Sequence, residues 1–175
     1  MSATLPILSA ITEHLTQALP DWQIELLPEN PSEYYLAHPN GAVLVGYLGS
    51  QFGKLRASDI VSQSRSVQLA ITLISRNLHD DTGALELLDK LRLLLVGFKP
   101  PNCAECFLLS EQFDGEENGI WQYQLILQTE TVQIQKVPEK ELPKLVEVIK
   151  RRTGQALDPQ LTKKLTPKLT HKEED

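Results

Sequence analysis

The stretch SVQLAITLIS, residues 66–75, decides the fold. Val67, Leu69, Ile71 and Leu73 fall on one side of an extended chain and Gln68, Ala70, Thr72 and Ile74 on the other, the period-two pattern of a strand. Both sides carry apolar residues, so this strand is expected at the centre of a sheet. Working forward, His79-Asp80-Asp81-Thr82 supplies acidic and capping residues for a helix to about Val96, with Gly97 at its stop and Pro100-Pro101 beyond. Its core stripe is Ala84, Leu87, Leu88, Leu91, Leu94 and Leu95. Leu85, Leu93 and Val96 fall on other sides, either as a second wall of core or as a subunit contact. Next come two strands, Cys106 to Phe113 and Gly119 to Ile134, joined by the acidic turn Asp114-Gly115-Glu116-Glu117-Asn118. Trp121, Tyr123, Leu125 and Leu127 share one face of the second strand, but the apolar positions then move to Val132 and Ile134. That change of parity calls for a bulge or for passage into a neighbour's environment.

Working backward, residues 49–64 (GSQFGKLRASDIVSQS) show no clear period and are expected to form a long loop between strands. Ahead of it, Ala42 to Leu48 reads as a strand covered on two sides. His38-Pro39-Asn40-Gly41 is a turn signal, and Tyr34 to Ala37 reads as a short strand. Trp22, Ile24 and Leu26 alternate with polar residues as a half-buried strand. Leu5, Leu8, Ile11, Leu15, Ala18 and Leu19 recur at helical spacing, with Pro6 in the first turn and Pro20 as the stop. The expected class is α+β: a mixed, mainly antiparallel sheet with two helices packed on it, plus a helical C-terminal extension.

At 175 residues the chain is long enough to bury about 70% of its unfolded surface in a single domain. Its 41% apolar and 23% charged residues are ordinary for a soluble protein, and no apolar run is long enough to span a bilayer. The start lacks the basic segment of a secretory signal, so a cytoplasmic protein is expected. A net charge of −6 argues against duplex nucleic acid as a partner. The charge is uneven. Residues 1–134 hold seven basic and sixteen acidic side chains, a net −9; residues 135–175 hold ten and seven, a net +3, with four prolines and no aromatic residue. An acidic domain over 1–134 and a basic extension over 135–175 follow. Within the extension, Pro143 suits the first turn of a helix, and Leu161, Leu165 and Leu169 recur every four residues in a stripe too small to fold alone. This arm is expected to dock on a neighbouring subunit or another protein of its assembly, drawn partly by the acidic body, the alternative being a solvated tail.

Candidate chemistry is thin. Cys103-Ala104-Glu105-Cys106 leads into a strand, whereas a redox CxxC sits at a helix N-terminus. A zinc site needs two further ligands, and the four histidines (His14, His38, His79, His171) have no ligand spacing. The adjacent acids Asp80-Asp81 and Glu116-Glu117 point apart and read as helix-start charge and a solvated turn. Gly46, Gly49 and Gly53 are too loosely spaced for a phosphate loop. No catalytic residue, metal site or cofactor is therefore assigned. A thiol-dependent enzyme using Cys103 and Cys106, and a non-ring regulatory binding module, stand as the alternatives to assembly.

From Gln63 to Thr131 the chain resembles the Mu-like phage tail-completion family, whose members look like tail terminators and are similar to cap proteins of contractile injection systems. The residues that carry the resemblance are Gln63, Arg65, Arg76, Gly83-Ala84, Leu87-Leu88, Leu94, Gly97-Phe98-Lys99-Pro100, Glu111, Phe113, Trp121 and Tyr123. The resemblance covers about residues 5–134, leaving the extension outside it. It implies a homohexameric ring that sits on the last ring of a tail tube and, in contractile systems, seals the sheath. The implied partners are further copies of the chain, the tube and the sheath. A terminating ring needs lateral contacts, one face complementary to the tube and an opposite face that differs. Leu85, Leu93, Val96, Val132, Ile134, Leu161, Leu165 and Leu169 are the candidate subunit contacts. Gln51, Phe52, Lys54 and Arg56 in the 49–64 segment, with Glu116 and Glu117 in the acidic turn, are the candidates for docking to tube or sheath.

Overall fold

A computed structural model describes residues 4–30, 34–56 and 60–136, all within one unit of the chain, Met1–Val137. The proposed short helices of the extension, with Leu161, Leu165 and Leu169, lie outside the described residues. The elements in chain order are α1 (Thr4–Ala18), β1 (Gln23–Leu26), β2 (Gly41–Leu55), β3 (Ser62–Ser75), α2 (Ala84–Leu95), β4 (Phe107–Glu117) and β5 (Ile120–Ile134). The five strands form one sheet in the order β1-β2-β3-β5-β4, with β1 parallel to β2 and every other pairing antiparallel. The class is α+β, and β3 holds the central position that its two-sided pattern requires.

The antiparallel pairing of β3 with β5 runs unbroken from Ser62 opposite Ile134 to Ser75 opposite Trp121. Alternation therefore sends Val67, Leu69, Ile71 and Leu73 to the same face as Leu125 and Leu127, all buried. Both helices cover this face. α1 contributes Ile7, Ile11, Leu15 and the following Leu19, four residues apart, and α2 contributes Ala84, Leu87, Leu88, Leu91 and Leu95. Leu5, which the helical spacing placed in the stripe, is exposed. The opposite face of the sheet is open over much of its area. Tyr34 and Leu36 cover one part of it, packed with Ala42, Leu44, Ile74 and Ile120.

Several sequence expectations are corrected. Residues 34–37 form no strand, because β1 already occupies the edge of β2 at Ala42 to Val45. This segment is held down instead by the Arg76 guanidinium, whose Nη2 donates to the Leu36 carbonyl at 2.8 Å. Residues 49–64 are not a long loop: β2 continues to Leu55 and β3 begins at Ser62, so the two strands and the end of β5 form a three-stranded finger. No side chain caps α2, whose N-cap is Gly83; the amides of Ala84 and Leu85 donate to the Asn77 and Leu78 carbonyls. A Cβ at Gly83 would lie 2.7 Å from the Leu78 carbonyl oxygen, which explains the glycine.

The hairpin turn is also tighter than the acidic run suggests. Asn118 and Gly119 alone form it, at φ +54° and +78°, the two positive values of a type I′ turn. Asp114 to Glu117 therefore belong to β4. The parity change in β5 involves no bulge against β3; Val132 and Ile134 simply lie on the open face, exposed, where the strand runs past the core. The bulges are in the outer strands, at Leu48 and near Gly53 in β2 and at Leu109 and Asp114 in β4.

Removing a buried α2 side chain should be far costlier than removing an exposed one. Leu91→Ala is expected to destabilise by about 2–5 kcal/mol. Leu93→Ala, at a position 83% exposed, is expected to change stability by about 0.5 kcal/mol or less in dilute solution. Urea unfolding midpoints of the two variants provide the comparison.

Candidate assembly surfaces

The residues that carried the family resemblance tie the elements together. Arg65, only 7% exposed, donates from Nε to the Ser50 hydroxyl at 2.8 Å and from Nη2 to the Thr4 hydroxyl at 2.7 Å, and lies beside the Phe52 ring. It joins the start of α1 to the base of the finger. Gly97, at φ +83°, ends α2 in the left-handed conformation that glycine accepts without strain. Its amide donates to the Cys106 carbonyl, and the Cys106 amide to the Phe98 carbonyl. Phe98 stacks on His14 with ring centroids 4.1 Å apart, while His14 Nε2 lies 3.0 Å from the Leu94 carbonyl oxygen. His14 is thus half-buried between the helices. Phe113 packs against Trp121 and Tyr123 on the helix-covered face.

The candidate contact residues within the described residues are exposed, but they do not form one patch. Leu85, Leu93 and Val96 occupy the outer side of α2. Among them lies Arg92, which pairs with Asp89 and makes two bonds, of 2.8 and 2.7 Å, to the Glu111 carboxylate of β4. Val132 and Ile134 stand on the opposite side of the sheet, at the finger. The sequence grouped them because both sets are surplus to a core; the layered fold separates them.

The docking candidates divide in the same way. Gln51, Phe52 and Lys54 are on β2 and Arg56 directly follows it, all exposed at the finger. Glu116 and Glu117 end β4 at the hairpin turn, where the Glu116 carboxylate accepts the Gly119 amide at 2.6 Å. Gln51 is level with Ser66 and hence Glu130, whereas Glu117 is level with Ile120, so ten residues, about 33 Å, separate the two groups along β5. They lie at opposite ends of the sheet.

Neither cysteine is disulfide-bonded and both are buried. Burial raises both thiol pKa values, that of Cys106 to about 11, which disfavours the thiolate that nucleophilic chemistry requires. Among the described residues no group of three or more His, Cys, Asp or Glu side chains is placed to hold a metal. A cleft of about 280 Å³ on the open face is lined largely by apolar side chains, including Leu27, Leu36, Leu44 and Ile74. Burial and the neighbouring Glu25 carboxylate hold the Tyr34 phenol at this cleft above its ordinary pKa. No described helix is long and apolar enough to cross a membrane.

Two features that sequence reasoning missed are the open sheet edges. β1 covers β2 only from Ala42 to Val45, and the Leu27 amide adds a last bond to the Val45 carbonyl; beyond it no described segment pairs along the outer side of β2. The outer side of β4 is likewise unpaired among the described residues. The only available signal, alternation in residues 50–55, is obscured by Gly49, Gly53 and the bulges.

Fold and surfaces together define an α+β sheet domain whose exposed features are strand edges, a finger and charged strand ends. A family model described as Gp37 protein matches residues 11–150. The chain belongs to this Gp37 family of phage proteins. The match runs past Ile134 to Lys150, so the family relationship reaches into the basic extension that the resemblance left out. No curated protein matches the chain.

The raised Cys106 pKa carries a sign for stability. The folded state holds this proton more tightly than the unfolded chain, so the contribution is complete below the ordinary thiol value of 9.0 and is lost as pH rises toward about 11. Cys106→Ala should flatten the fall in stability between those values, measured as urea midpoints against pH. Thiol labelling of the native protein should be slow until it unfolds.

Proposed function

We propose that this phage-family protein is a non-enzymatic assembly factor, a homohexameric ring that terminates the tube of a contractile tail or a phage-derived injection apparatus and also contacts its sheath. The observation that carries this reading is the chemical difference between the two ends of the sheet. One end is the finger, with Phe52, Leu55, Val132 and Ile134 exposed beside Lys54 and Arg56; the other is the hairpin end, with Asp114, Glu116 and Glu117. A head-to-tail polymer grows because each ring recreates the surface that it binds, and stops when a subunit binds without recreating it. Unlike ends suit that task. Membership of a phage protein family and the resemblance in the 63–131 segment support it further. The buried, high-pKa thiols weigh against thiol catalysis.

Electron microscopy of the full chain mixed with its tube and sheath tests the proposal. Rings at tube ends, with tube length limited, are expected, and Cys103→Ser/Cys106→Ser should cap as well as the natural chain. Tubes that grow unchanged in the presence of the protein would sink the reading. Deletion of residues 136–175, the basic extension, should weaken the ring or its docking; undiminished assembly would dismiss a docking role for that arm.

A further inference from the structure

We propose that copies of this chain join head to tail by strand addition, β4 of one protomer pairing along the free outer edge of β2 in the next. The inference rests on the self-association in the reading above and names the surfaces that carry it.

Two long unpaired edges are a hazard that folded proteins cover or blunt. Here both persist among the described residues, and both carry exposed apolar side chains: Tyr47, Leu48, Phe52 and Leu55 on β2, and Phe107, Leu109 and Phe113 on β4. Their dimensions match. The free part of β2 begins at Gly46, directly after the last residue paired with β1, and reaches Arg56 just past the strand; β4 spans Phe107–Glu117. Laying one antiparallel to the other, centre to centre, puts Gln51 opposite Gln112. The bulges then fall nearly level, Leu48 with Asp114 and the Gly53–Lys54 irregularity with Leu109 and Ser110, so an extra residue on one strand meets an extra residue on the other.

The strand directions agree as well. β2 and β5 run one way and β3 and β4 the other, so repeating the sheet side by side makes the new pairing antiparallel, like its neighbours. Gln51 and Gln112 both lie on the open face, as directly opposed residues must. Charge disfavours one rival self-pairing, β4 against β4. The free part of β2 bears Lys54 and Arg56 and no acid, and β4 bears Glu111, Asp114, Glu116 and Glu117 and no base, so β4 against β4 crowds carboxylates.

The geometry also imposes a stagger. Gln112 is level with Gln124 on β5, while Gln51 is level with Glu130, so each added protomer is displaced by six residues, about 20 Å, along the strands. A side-by-side sheet closes into a ring only with strand tilt and stagger of this kind. The two edges differ, so the contact is heterologous and closes or propagates rather than stopping at a dimer.

Cysteine pairing tests the contact in the full-length chain. Gln51→Cys/Gln112→Cys, oxidised at high protein concentration and run without reductant, should give a ladder of multimers that reduction collapses. Gln51→Cys alone and Gln112→Cys alone should give none, with circular dichroism confirming that all variants fold. Dimers from either single variant indicate an isologous edge, and the absence of multimers from the double variant indicates no edge pairing; either result overturns the proposal. If deletion of residues 136–175 is needed before the double variant cross-links, the chain's own extension occupies an edge, and that too overturns it. Cross-linked rings that never sit on tube ends would leave the edge pairing standing and remove the capping function alone.

Discussion

The β3–β5 ladder is the constraint on which the rest depends. Its register is unbroken for the whole length of β3, so the face of every residue on both strands is set by parity. A slip of β5 by one residue would send Leu125 and Leu127 to the open face and put Gln124 and Gln128 beneath the helices. The cost of burying those amides unpaired holds the register as firmly as the gain from burying the aliphatic side chains. On the open face Gln68 donates to Gln128 across the ladder at 3.1 Å, an arrangement available only in the observed register. The ladder also lets β5 outrun the core. Its last residues stay paired with β3 while β4 has already turned away, and the finger is the result.

Elements whose pattern is local were legible in the sequence. The alternation of 66–75 gave the central strand, and the apolar spacing with Gly97 and Pro100 gave α2. Asn118-Gly119 marked the hairpin, although the acids before it drew the turn too long. What the sequence hid depends on what lies alongside. Tyr34 to Ala37 has the residues of a strand, but the stretch of β2 beside which it packs, Ala42 to Val45, is already paired with β1. Residues 49–64 lack a period because bulges and glycines interrupt β2, yet pairing with β3 extends them regardless. α2 has Asp80, Asp81 and Thr82 before it and uses none as a side-chain cap, because the preceding turn brings the Asn77 and Leu78 carbonyls to its free amides.

The candidate site was legible only residue by residue. Every contact candidate within the described residues is exposed, which a surplus of apolar positions over core needs does foretell. Their grouping was not foretold, because grouping depends on layers: Leu93 and Ile134 belong to opposite sides of the molecule. The landmarks of the resemblance behave differently. Arg65, Gly97, Phe98 and Trp121 hold elements together, so they identify a family by its framework and leave its task to the surfaces.

Those surfaces divide the work in a way that follows from sheet geometry. Strand edges offer backbone hydrogen bonds in the plane of the sheet, whereas strand ends offer turns and charged tips along its length. Association along the edges would occupy the outer side of the finger's β2 and leave the sheet faces and the Asn118-Gly119 turn uncovered. Because β1 is only four residues long, it covers β2 from Ala42 to Val45 and leaves the rest of that edge open. Because β4 stops at Phe107, opposite Gln128, the two open edges fall at opposite corners of the sheet. An assembly built on them is necessarily staggered: the neighbour's β4 is displaced by six residues toward the finger and lies along its β2 edge. The short β1 strand, an unremarkable element in the sequence, thus determines which part of the β2 edge is open to a neighbour.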